Sequence, residues 1–452
     1  MHRTISLEIE IPQGAAWVLE QLRDAGYEAY VVGGCVRDSL LHRMPDDWDI
    51  TTSAKPEDTK RIFRRTVDTG IQHGTVTVMV DRTGYEVTTY RIDGEYADGR
   101  HPEHVTFTAS LLEDLKRRDF TINAMAYSPA EGLVDEFDGI GDINRRVIRA
   151  VGDPVQRFTE DALRMMRAIR FSAQLDYRID EDTREGIRLL APNLQKVSAE
   201  RIRVELEKLL LSEHPEELKE AYELGLLRQF LPELSECMEC GQNNPHHCLS
   251  VGDHILCAVK AARRDKVLRL ALLLHDIAKP LCRSVDADGA AHFRGHNQRG
   301  SAMTRSILRR LKAPGYLIEG VTGLVAIHDA PLPTADCEIL RWLNRYGAEF
   351  LRRLCALKYA DLDAHAHTPD VEKRRSDVQI FEQRMLQLAK SGCYTIRQLA
   401  VNGGDLMHAG MPAGPAVGET LNTLLQEVMD GHLPNEREAL LHAVRTRAGG
   451  TR

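Results

Sequence analysis

The sequence predicts an α+β fold, in which a small mixed region of strands and helices is followed by a long, mostly helical region. Three observations support this prediction. Runs of β-branched residues separated by glycine turns occur before the segment "GDPVQRFTED" and fade after it. Beyond that segment, Leu, Arg and Glu recur at helical spacing almost to the end of the chain. The length of 452 residues exceeds what one hydrophobic core organises, so several domains are expected.

The composition is typical of a soluble globular protein. Hydrophobic residues make up 43% and charged residues 28%, and no apolar run approaches the roughly 18 residues that span a bilayer. The N-terminal segment "MHRTISLEIE" lacks the pattern of a secretory signal. The nine cysteines form no regular framework, so we expect reduced thiols, a cytoplasmic location and no membrane partner. Because the net charge is −8, binding to a nucleic acid would depend on local basic patches.

Three local patterns predict the first elements in order. Apolar residues at helical spacing between residues 14 and 26 predict a helix. In "EAYVVGGCVRD" a strand leads through a glycine turn into a second helix. The segment "VTVMVDRTGYEVTTY" predicts a hairpin with its turn at Arg-Thr-Gly. Further breaks in composition divide the chain into four predicted domains: 1–150, 151–235, 236–375 and 376–452.

The segment "MPDDWDITTS" places two carboxylates on one side of a predicted strand. Side chains alternate along a strand, so Asp47 and Asp49 face the same way while Trp48 points into the core. Two carboxylates about 7 Å apart repel each other unless a cation lies between them. Mg²⁺ prefers oxygen ligands, so the pair predicts a magnesium site. A solvated strand end or a helix N-cap is the alternative for an isolated Asp-x-Asp.

A glycine turn just upstream predicts a phosphate site beside this pair. Gly33 and Gly34 let backbone N–H groups approach a phosphate at a helix N-terminus, and Arg37 adds a charged donor. Two-metal phosphoryl transfer needs a third carboxylate, and Glu86 on the predicted hairpin is the candidate. An exposed strand glutamate without a metal role explains its position almost as well.

Five motifs carry a resemblance to a known family: "GGCVRDSLL", "PDDWDITT", "RRDFTINAMAY", "EDALRMMRAIRFSAQL" and "SAERIRVELEKLL". In order and spacing they resemble the class II tRNA nucleotidyltransferase and bacterial poly(A) polymerase family. The resemblance covers about the first 235 residues. It implies a polymerase-β-like nucleotidyltransferase head, with a small mixed sheet and helices, followed by a helical neck and body. It also implies that Asp47, Asp49 and Glu86 are catalytic and that Asp47 and Asp49 hold Mg²⁺.

The same resemblance implies which side chains bind the nucleotide. Asp119 in "RRDFT" would contact the ribose 2′-OH, with Arg118 near the triphosphate. Asp161 and Arg164 in "EDALR" are three residues apart, so we expect them on one helical face, where they could address the Watson–Crick edges of cytosine and adenine. An ordinary helix start with an ion pair explains them as well. The nucleotide-binding candidates are Gly33, Gly34, Arg37, Arg118, Asp119, Asp161, Arg164, Arg167 and Arg170.

The implied reaction is template-independent addition of C, C and A to the 3′ end of tRNA, using CTP and ATP. The segment "YRIDGEYADGRHPE" resembles the flexible loop of members that add the terminal adenosine, although a plain surface loop has the same composition. The motifs leave narrower products open: an A-adding enzyme, a CC-adding enzyme or a poly(A) polymerase. A phosphohydrolase with an RNA-binding head is a further alternative.

A second set of candidate ligands follows in the helical region. In "LRLALLLHDIAKP", His275 and Asp276 end an apolar helix, and burying both is costly without a metal or a partner. The ordered His and Asp residues resemble the HD phosphohydrolase superfamily. The resemblance implies an HD domain after the body, a divalent transition metal of unknown identity, and phosphohydrolase activity. The implied ligands are His254, His275, Asp276, His296, His328 and Asp361.

The segment "CMECGQNNPHHC" invites a zinc interpretation that we do not favour. Its second half is too cramped to supply an independent pair of ligands beside Cys237 and Cys240. We interpret the segment as the loop that leads into the HD helix, where His247 could line the metal site. The tail resembles the carboxyl-terminal helical module of related bacterial enzymes, so we expect it to support tRNA or homodimer contacts.

Overall fold

The computed structural model describes residues 4–5, 7–93, 105–241, 249–287, 291–366 and 368–449. The chain divides into two compact units, Met1–Ser235 and Glu236–Arg452. The first unit contains a mixed sheet and the second is almost entirely helical, so the predicted α+β class is confirmed. Within the described residues, every helix is too short or too polar to cross a bilayer. The finer division into four domains stays a prediction.

The strands are short and most of them lie in the first unit. They are β1 (Thr4–Ile5), β2 (Ala29–Val32), β3 (Ile50–Thr52), β4 (Thr66–Gly70), β5 (Thr75–Val80), β6 (Thr83–Thr89), β7 (Arg91–Asp93), β8 (Val105–Phe107), β9 (Ala126–Ser128), β10 (Gly132–Val134), β11 (Val147–Ile148), β12 (Arg178–Ile179), β13 (Ser284–Val285) and β14 (Ala291–His292). The main sheet has the order β1-β10-β9-β2-β3-β6-β5-β4. Its neighbouring strands are antiparallel except β3 and β6, which are parallel.

The α-helices of the first unit are α1 (Gln13–Asp24), α2 (Gly34–Leu40), α3 (Pro56–Ile62), α4 (Leu111–Lys116), α5 (Gly139–Arg145), α6 (Pro154–Glu160), α7 (Leu163–Leu175), α8 (Glu181–Leu190), α9 (Ala199–Leu210), α10 (Leu218–Glu223), α11 (Leu227–Phe230) and α12 (Pro232–Glu239), the last of which crosses into the second unit. Those that follow are α13 (Val251–Ala261), α14 (Lys266–Leu274), α15 (Lys279–Cys282), α16 (His296–Arg310), α17 (Gly315–Ile327), α18 (Asp336–Tyr346), α19 (Ala348–Asp363), α20 (Pro369–Ser391), α21 (Gly403–His408), α22 (Pro415–Met429) and α23 (Arg437–Gly449).

Helix α1 forms where the apolar spacing predicted it, and it packs on the sheet through that stripe. Its buried residues are Ala15, Val18, Leu19 and Leu22, which join one core cluster with Val31 of β2. Strand β2 is buried along its whole length, because it lies in the interior of the sheet between β9 and β3. The turn from β2 into α2 therefore starts from a fixed, buried strand.

The predicted hairpin is present, but its turn comes earlier than expected. Val80 of β5 pairs with Thr83 of β6, so the turn is Asp81–Arg82 rather than Arg-Thr-Gly. Asp81 takes a φ of 54°, the left-handed conformation that a two-residue hairpin turn requires and that Asp tolerates. The expectation that strands end near residue 150 is wrong for β12, β13 and β14. These strands have two residues each, too few to leave a periodic pattern.

Helix α7 is the central helix of the region that follows the sheet. It is buried on nearly all sides and packs against α9, the helix that "SAERIRVELEKLL" predicts. Arg170 of α7 donates from Nε to Glu205 Oε2 of α9 at 2.5 Å, and both side chains are more than nine-tenths buried. The guanidinium group of Arg170 also lies over the ring of Phe171, with 3.9 Å between the guanidinium carbon and the ring centroid. These two helices are thus joined by a buried charge pair.

The second unit packs its helices around an apolar core. Helix α14 carries seven buried residues in nine, and it contacts α13, α17 and α19. His275 follows as its C-cap, as the sequence predicted for the end of an apolar helix. Because α13, α14, α17 and α19 converge here, side chains at their ends can meet in one place.

The substitution Glu205→Ala tests the buried pair between α7 and α9. Removing the carboxylate leaves the guanidinium of Arg170 buried without its anionic partner, which typically costs about 3 kcal/mol. Urea unfolding followed by circular dichroism measures the loss. Glu200→Ala, on an exposed position of the same helix, is the matched control and should change the free energy of unfolding by less than about 0.5 kcal/mol. Equal losses in both variants would contradict the assignment.

Candidate functional site

Three carboxylates meet where β3 begins, at the end of the glycine turn. Strand β3 runs parallel to β6 with Ile50 opposite Val87, so continuing this register by one residue places Asp49 beside Glu86. Burial raises the pKa of Asp49 to about 6, and repulsion from Asp47 and Glu86 adds to the increase. Such a cluster is destabilised by its own charge, and a cation between the carboxylates would relieve that repulsion. An all-oxygen donor set suits Mg²⁺, so these residues fit the ion that the sequence predicted.

The local structure of this segment differs from the prediction in one respect. Asp47 and Asp49 precede the strand rather than lie within it, because β3 starts only at Ile50. The ladder stops there because the chain of β2 turns away at Gly33, and one last bond runs from Val32 N to Asp49 O at 3.0 Å. Trp48 is half-buried and packs against the core, as expected from the alternation of side chains.

The glycine turn lies under a cationic side chain. Gly33 has a φ of 84°, a conformation that glycine adopts at no steric cost. A Cβ atom at Gly33 would come within 3.2 Å of Arg118 Nη1, so the guanidinium crosses directly over the turn. Arg118 also lowers the pKa of Asp49 against the larger effect of burial, which places its charge near the carboxylates. An anion at this turn would meet both the backbone and Arg118.

Arg37 has several partners of its own within the protein. It is nine-tenths buried, and its Nη1 donates to Asn123 Oδ1 at 2.6 Å while Nε and Nη2 donate to Asp38. Its guanidinium carbon lies 4.9 Å from the centroid of the Phe171 ring. These contacts fix α2 against the residues that follow α4. The predicted role of Arg37 in binding phosphate stays a prediction.

Asp119 accepts hydrogen bonds from three other residues. Its Oδ1 accepts from Phe120 N at 2.9 Å and Asn123 Nδ2 at 3.1 Å, and its Oδ2 accepts from Arg167 Nε at 2.7 Å. Burial would raise the pKa of Asp119, but the charge of Arg167 and these bonds lower it to about 2. Arg167 Nη2 lies 2.6 Å from the same Oδ2. A carboxylate offers about four lone pairs, so a ribose hydroxyl would have to replace one of these donors.

Asp161 and Arg164 do not share a helix, which corrects the sequence prediction. The chain is extended at Asp161, with φ −141° and ψ 103°, because α6 ends just before it and α7 starts two residues later. Asp161 Oδ1 caps α7 by accepting from Leu163 N at 3.0 Å. Its Oδ2 accepts from Arg201 Nη2 of α9 at 2.6 Å.

Arg164 is held in place by groups on other elements. Its Nη1 donates to Glu160 Oε2 at 2.6 Å and its Nη2 to the carbonyl of Arg117 at 2.9 Å. The side chain is about nine-tenths buried. Arg164 is therefore fixed between the helical region and the segment that carries Arg118 and Asp119. Arg164, the predicted donor to the base, lies in the first turn of α7, and Asp161, the predicted acceptor, lies just before that helix. Each is oriented by a separate partner.

Several residues at this site were not singled out in the sequence. Asn123 binds both Arg37 and Asp119, Arg201 pairs with Asp161, and Glu205 pairs with Arg170. Each lies in a motif that carried the family resemblance, but its own role depends on a partner at least four residues away. Spacing cannot identify such a partner, because the contact forms only when the helices pack.

In the second unit, the six predicted HD residues come together in one cluster. His254 Nε2 lies 2.9 Å from Asp361 Oδ1, and His275 Nε2 lies 3.2 Å from Asp276 Oδ2. The other oxygen of Asp276 faces His296, with 3.4 Å between Oδ1 and Nε2. His328 completes this side, and its Nε2 lies 3.2 Å from Nε2 of His296. Each oxygen of Asp276 thus faces its own group of imidazoles.

The chemistry of this cluster fits a bound cation. His275 Nε2 is buried, and within the described part of the chain no hydrogen bond of normal geometry reaches it. Burial lowers the pKa of His275, but Asp276 and Asp361 outweigh this effect and raise it to about 10. The carboxylates therefore attract a positive charge, either a proton or a metal ion. Mixed imidazole and carboxylate donors suit a divalent transition metal better than Mg²⁺.

His365 is a further candidate ligand that sequence reasoning missed. It lies with His254 and Asp361 in a group whose donor atoms are all within 4.8 Å of one another. His365 follows Asp361 by four residues, a spacing that could have indicated it if α19 had been continued by one turn. The metal-sized groups among the described residues include neither Cys237 nor Cys240. His247 and Cys248 lie outside the described residues, as does most of the segment from 90 to 103.

Comparison with known proteins decides the family. The CCA-adding enzyme of Limosilactobacillus fermentum is 38% identical over 426 residues, covering 94% of each chain. The chain belongs to the CCA-adding enzyme family. The CCA-adding enzyme of Leuconostoc mesenteroides is likewise 38% identical, over 94% of this chain and 93% of that protein. The family resemblance inferred from the motifs is thereby confirmed.

Models of individual domains and a solved structure support this CCA-adding family assignment. Residues 29–149 match "Poly A polymerase head domain", 176–238 match the RNA and SrmB-binding site of polymerase A, and 297–444 match tRNA nucleotidyltransferase domain 2. The Bacillus stearothermophilus CCA-adding enzyme, solved in complex with CTP, is similar with a TM-score of 0.70 and 33% identity. It covers 97% of this chain and 98% of its own.

The carboxylate cluster predicts a Mg²⁺ site that depends on Asp49 and not on its neighbour Asp46. Asp49→Asn removes one charge at a position where three carboxylates meet, so the Mg²⁺ affinity should fall at least about tenfold. Calorimetric titration of the full chain with Mg²⁺ measures this. Asp46→Asn, at an exposed position three residues upstream, should change the affinity by less than about twofold. If both variants lost affinity equally, the assigned ligands would be wrong.

Proposed function

We propose that this chain adds C, C and A to the 3′ end of tRNA, using CTP and ATP. The observation that carries the proposal is the site itself. Three carboxylates meet beside a glycine turn covered by Arg118, and the Asp161 and Arg164 pair lies at the start of the adjoining helix. Relatives over almost the whole length are named CCA-adding enzymes. One similar structure holds CTP, and one matching domain is described as a tRNA nucleotidyltransferase domain.

In the proposed reaction, the 3′-OH of tRNA attacks the α-phosphate of the nucleotide and pyrophosphate leaves. Asp47, Asp49 and Glu86 would hold Mg²⁺, which neutralises phosphate charge and makes the hydroxyl more acidic when it is bound. Arg118, above the glycine turn, offers its guanidinium to the triphosphate. Arg167 keeps Asp119 ionised, so that Asp119 can accept a hydrogen bond from a ribose hydroxyl that replaces one of its present donors.

Selection of the base would rest on one acceptor and one donor that do not move relative to each other. Asp161 accepts from Arg201, and Arg164 donates to Glu160 and to the carbonyl of Arg117. A carboxylate accepts from the amino group of cytosine or adenine, and a guanidinium donates to the ring nitrogen or carbonyl beside it. Because both side chains are preorganised, little conformational entropy is lost when the base binds.

The proposal is tested with purified protein and three tRNA substrates lacking the last one, two or three nucleotides. With CTP and ATP supplied separately and together, we expect stepwise addition of C, C and A. Replacing Asp47 and Asp49 by Ala should lower the rate at least about a hundredfold, because the charge stabilisation is lost. Asp46→Ala should retain most of the activity.

The pattern of products separates the narrower alternatives. Failure to incorporate any cytidine would leave an A-adding enzyme or a poly(A) polymerase. Failure to add adenosine after two cytidines would leave a CC-adding enzyme. Full activity in the variant lacking both Asp47 and Asp49 would remove the assigned catalytic site, and hydrolysis without any addition would leave a phosphohydrolase with an RNA-binding head.

We propose a second activity for the second unit, a metal-dependent phosphohydrolase with a divalent transition metal. The specific observation is the buried His275 Nε2 beside two carboxylates, with further imidazoles on both sides of Asp276. A metal ion bound there would lower the pKa of a water molecule and stabilise charge on a phosphate. Lys279 lies 2.6 Å from Asp276 Oδ2 through its Nζ, so it balances part of the carboxylate charge.

The substitution Asp276→Asn tests this activity separately from nucleotide addition. It removes the carboxylate that faces both groups of imidazoles, so the content of Mn²⁺, Co²⁺, Ni²⁺ or Zn²⁺ after dialysis should fall at least about tenfold. Hydrolysis of bis(p-nitrophenyl) phosphate should fall with it, while CCA addition continues. Glu319→Gln, at an exposed residue paired with Arg305, is the control. Unchanged metal content in Asp276→Asn would refute the proposed ligand set.

Two further predictions from the sequence concern the state of the protein in the cell. We propose a cytoplasmic location, as the cysteine content and the N-terminal segment predict. We also keep the predicted homodimer as a proposal, which sedimentation equilibrium of the full chain tests directly.

A further inference from the structure

Two cavities open onto the HD cluster of the second unit, and they share a wall. The smaller one, about 370 Å³, is lined by the histidines and carboxylates of the cluster together with Lys279. The larger one, about 800 Å³, extends away from the cluster between α18, α19 and α20. Their common wall consists of His328, Asp329, Asp361 and Arg374. A molecule seated across this wall would place one end at the metal ligands and the other end in the larger cavity.

The larger cavity has an apolar body. Its walls include Leu332, Ile339, Leu362, Val378, Ile380 and Phe381. Ile380 is exposed and lies on the side of α20 that lines the cavity, so its side chain is accessible to a bound molecule. The volume is within the range of sites for small organic molecules, roughly 300 to 1,000 Å³. This cavity therefore suits an organic group that carries one or two rings.

The charges around the larger cavity are balanced. Its cationic side chains are Lys358, Lys373, Arg374 and Arg384, and its carboxylates are Asp329, Asp336, Asp361 and Asp377. Some of these charges neutralise each other directly, since Arg384 Nε donates to Asp336 Oδ1 at 2.6 Å. A balanced wall does not attract a polyanion such as a triphosphate or an RNA strand, whose binding depends on an excess of positive charge.

Resting on the phosphohydrolase activity proposed above, we propose that the HD site takes phosphate monoesters of ring-bearing alcohols. The phosphate occupies the smaller cavity at the HD cluster, and the ring occupies the larger cavity. Arg374 lies in the wall of both cavities, where it can donate to the phosphate while the ring passes beyond it.

The reaction at this site uses water as its second substrate. The water oxygen forms a bond to phosphorus and the bond between phosphorus and the ester oxygen breaks. The ester oxygen takes up the proton that the attacking water releases, so the products are the free alcohol and inorganic phosphate. No electron transfer is involved, and the number of atoms and charges is conserved.

The test compares two probes that share a phosphate and differ in the ring: 1-naphthyl phosphate and methyl phosphate. Each is titrated calorimetrically into the full chain loaded with Mn²⁺, in an Asp49→Asn background that weakens binding at the other metal site. Transfer of ring surface out of water should make 1-naphthyl phosphate bind at least about tenfold more tightly. Equal affinities for the two probes would overturn the proposal.

A substitution at the mouth of the larger cavity tests whether the ring of 1-naphthyl phosphate binds there. Thr334 is exposed and lines the cavity, so Thr334→Trp fills part of the space and should reduce the ratio of the two affinities to less than about threefold. Glu338→Trp introduces the same side chain at an exposed position of α18 outside the cavity, and it should leave the ratio unchanged. If both variants kept the ratio, the ring would bind elsewhere and the proposal would fail. Circular dichroism confirms that both variants are folded.

Hydrolysis of the same two probes separates this proposal from the activity on which it rests. If 1-naphthyl phosphate binds more tightly than methyl phosphate but neither probe releases phosphate, the proposed phosphohydrolase activity is wrong and the ring-binding cavity is supported. If both probes release phosphate at equal rates and bind with equal affinities, the phosphohydrolase activity is supported and the proposed ring-binding cavity is wrong.

Discussion

The ion pair between the buried carboxylate of Asp119 and Arg167 is the contact on which the arrangement of the predicted nucleotide-binding residues depends. It joins the segment that follows α4 to helix α7, and Arg167 contributes two nitrogens to one carboxylate oxygen. A buried charge that loses its partner costs several kcal/mol, so the pair fixes one position of the helix relative to the sheet. Phe171, one turn further along α7, packs beneath the guanidinium groups of Arg37, Arg167 and Arg170 and extends the same contact into a larger network.

The carboxylate cluster also contains a largely buried acid, Asp49, but its pKa shifts in the opposite direction from that of Asp119. Asp119 has a cation within the protein, so its pKa falls to about 2. Asp49 is also largely buried but faces two other carboxylates, so burial and repulsion raise its pKa to about 6. The negative charge of Asp119 is thus balanced by Arg167 within the protein. An added cation would relieve the repulsion at Asp49. The contrast distinguishes a carboxylate that is paired within the protein from one that is proposed to hold a metal ion.

The HD cluster contains a carboxylate that has a cationic partner within the protein and also faces several imidazoles. Asp276 is buried and receives Lys279 as a partner from the protein, yet it still faces histidines on both sides. Burial and the neighbouring His275 lower the pKa of His328 to about 4, so His328 stays neutral and keeps a lone pair for a metal ion. Helices α13, α14, α16, α17 and α19 bring these side chains together, and His254, His275, Asp276 and His328 are buried. Packing of this kind holds the side chains close together without an ion.

The sequence by itself determined the fold class, helix α1, the hairpin and the identity of most polar residues at both sites. Apolar spacing and alternation are local properties of the chain, so they survive without tertiary contacts. Asp47, Asp49 and Glu86 could be named because the motifs around them resemble a nucleotidyltransferase family, and His275 and Asp276 because burying two ionisable residues at the end of an apolar helix is costly.

Tertiary structure alone decided which of these residues touch. The parallel register of β3 with β6 places Asp49 beside Glu86, and nothing in the spacing between residues 49 and 86 encodes that register. The break before α7 turns Asp161 away from the helix of Arg164 and towards Arg201, forty residues further along the chain. Contacts at such separations form only when elements pack. Local patterns can therefore name candidate residues, but the partner that sets each one's charge and orientation emerges only in the folded protein.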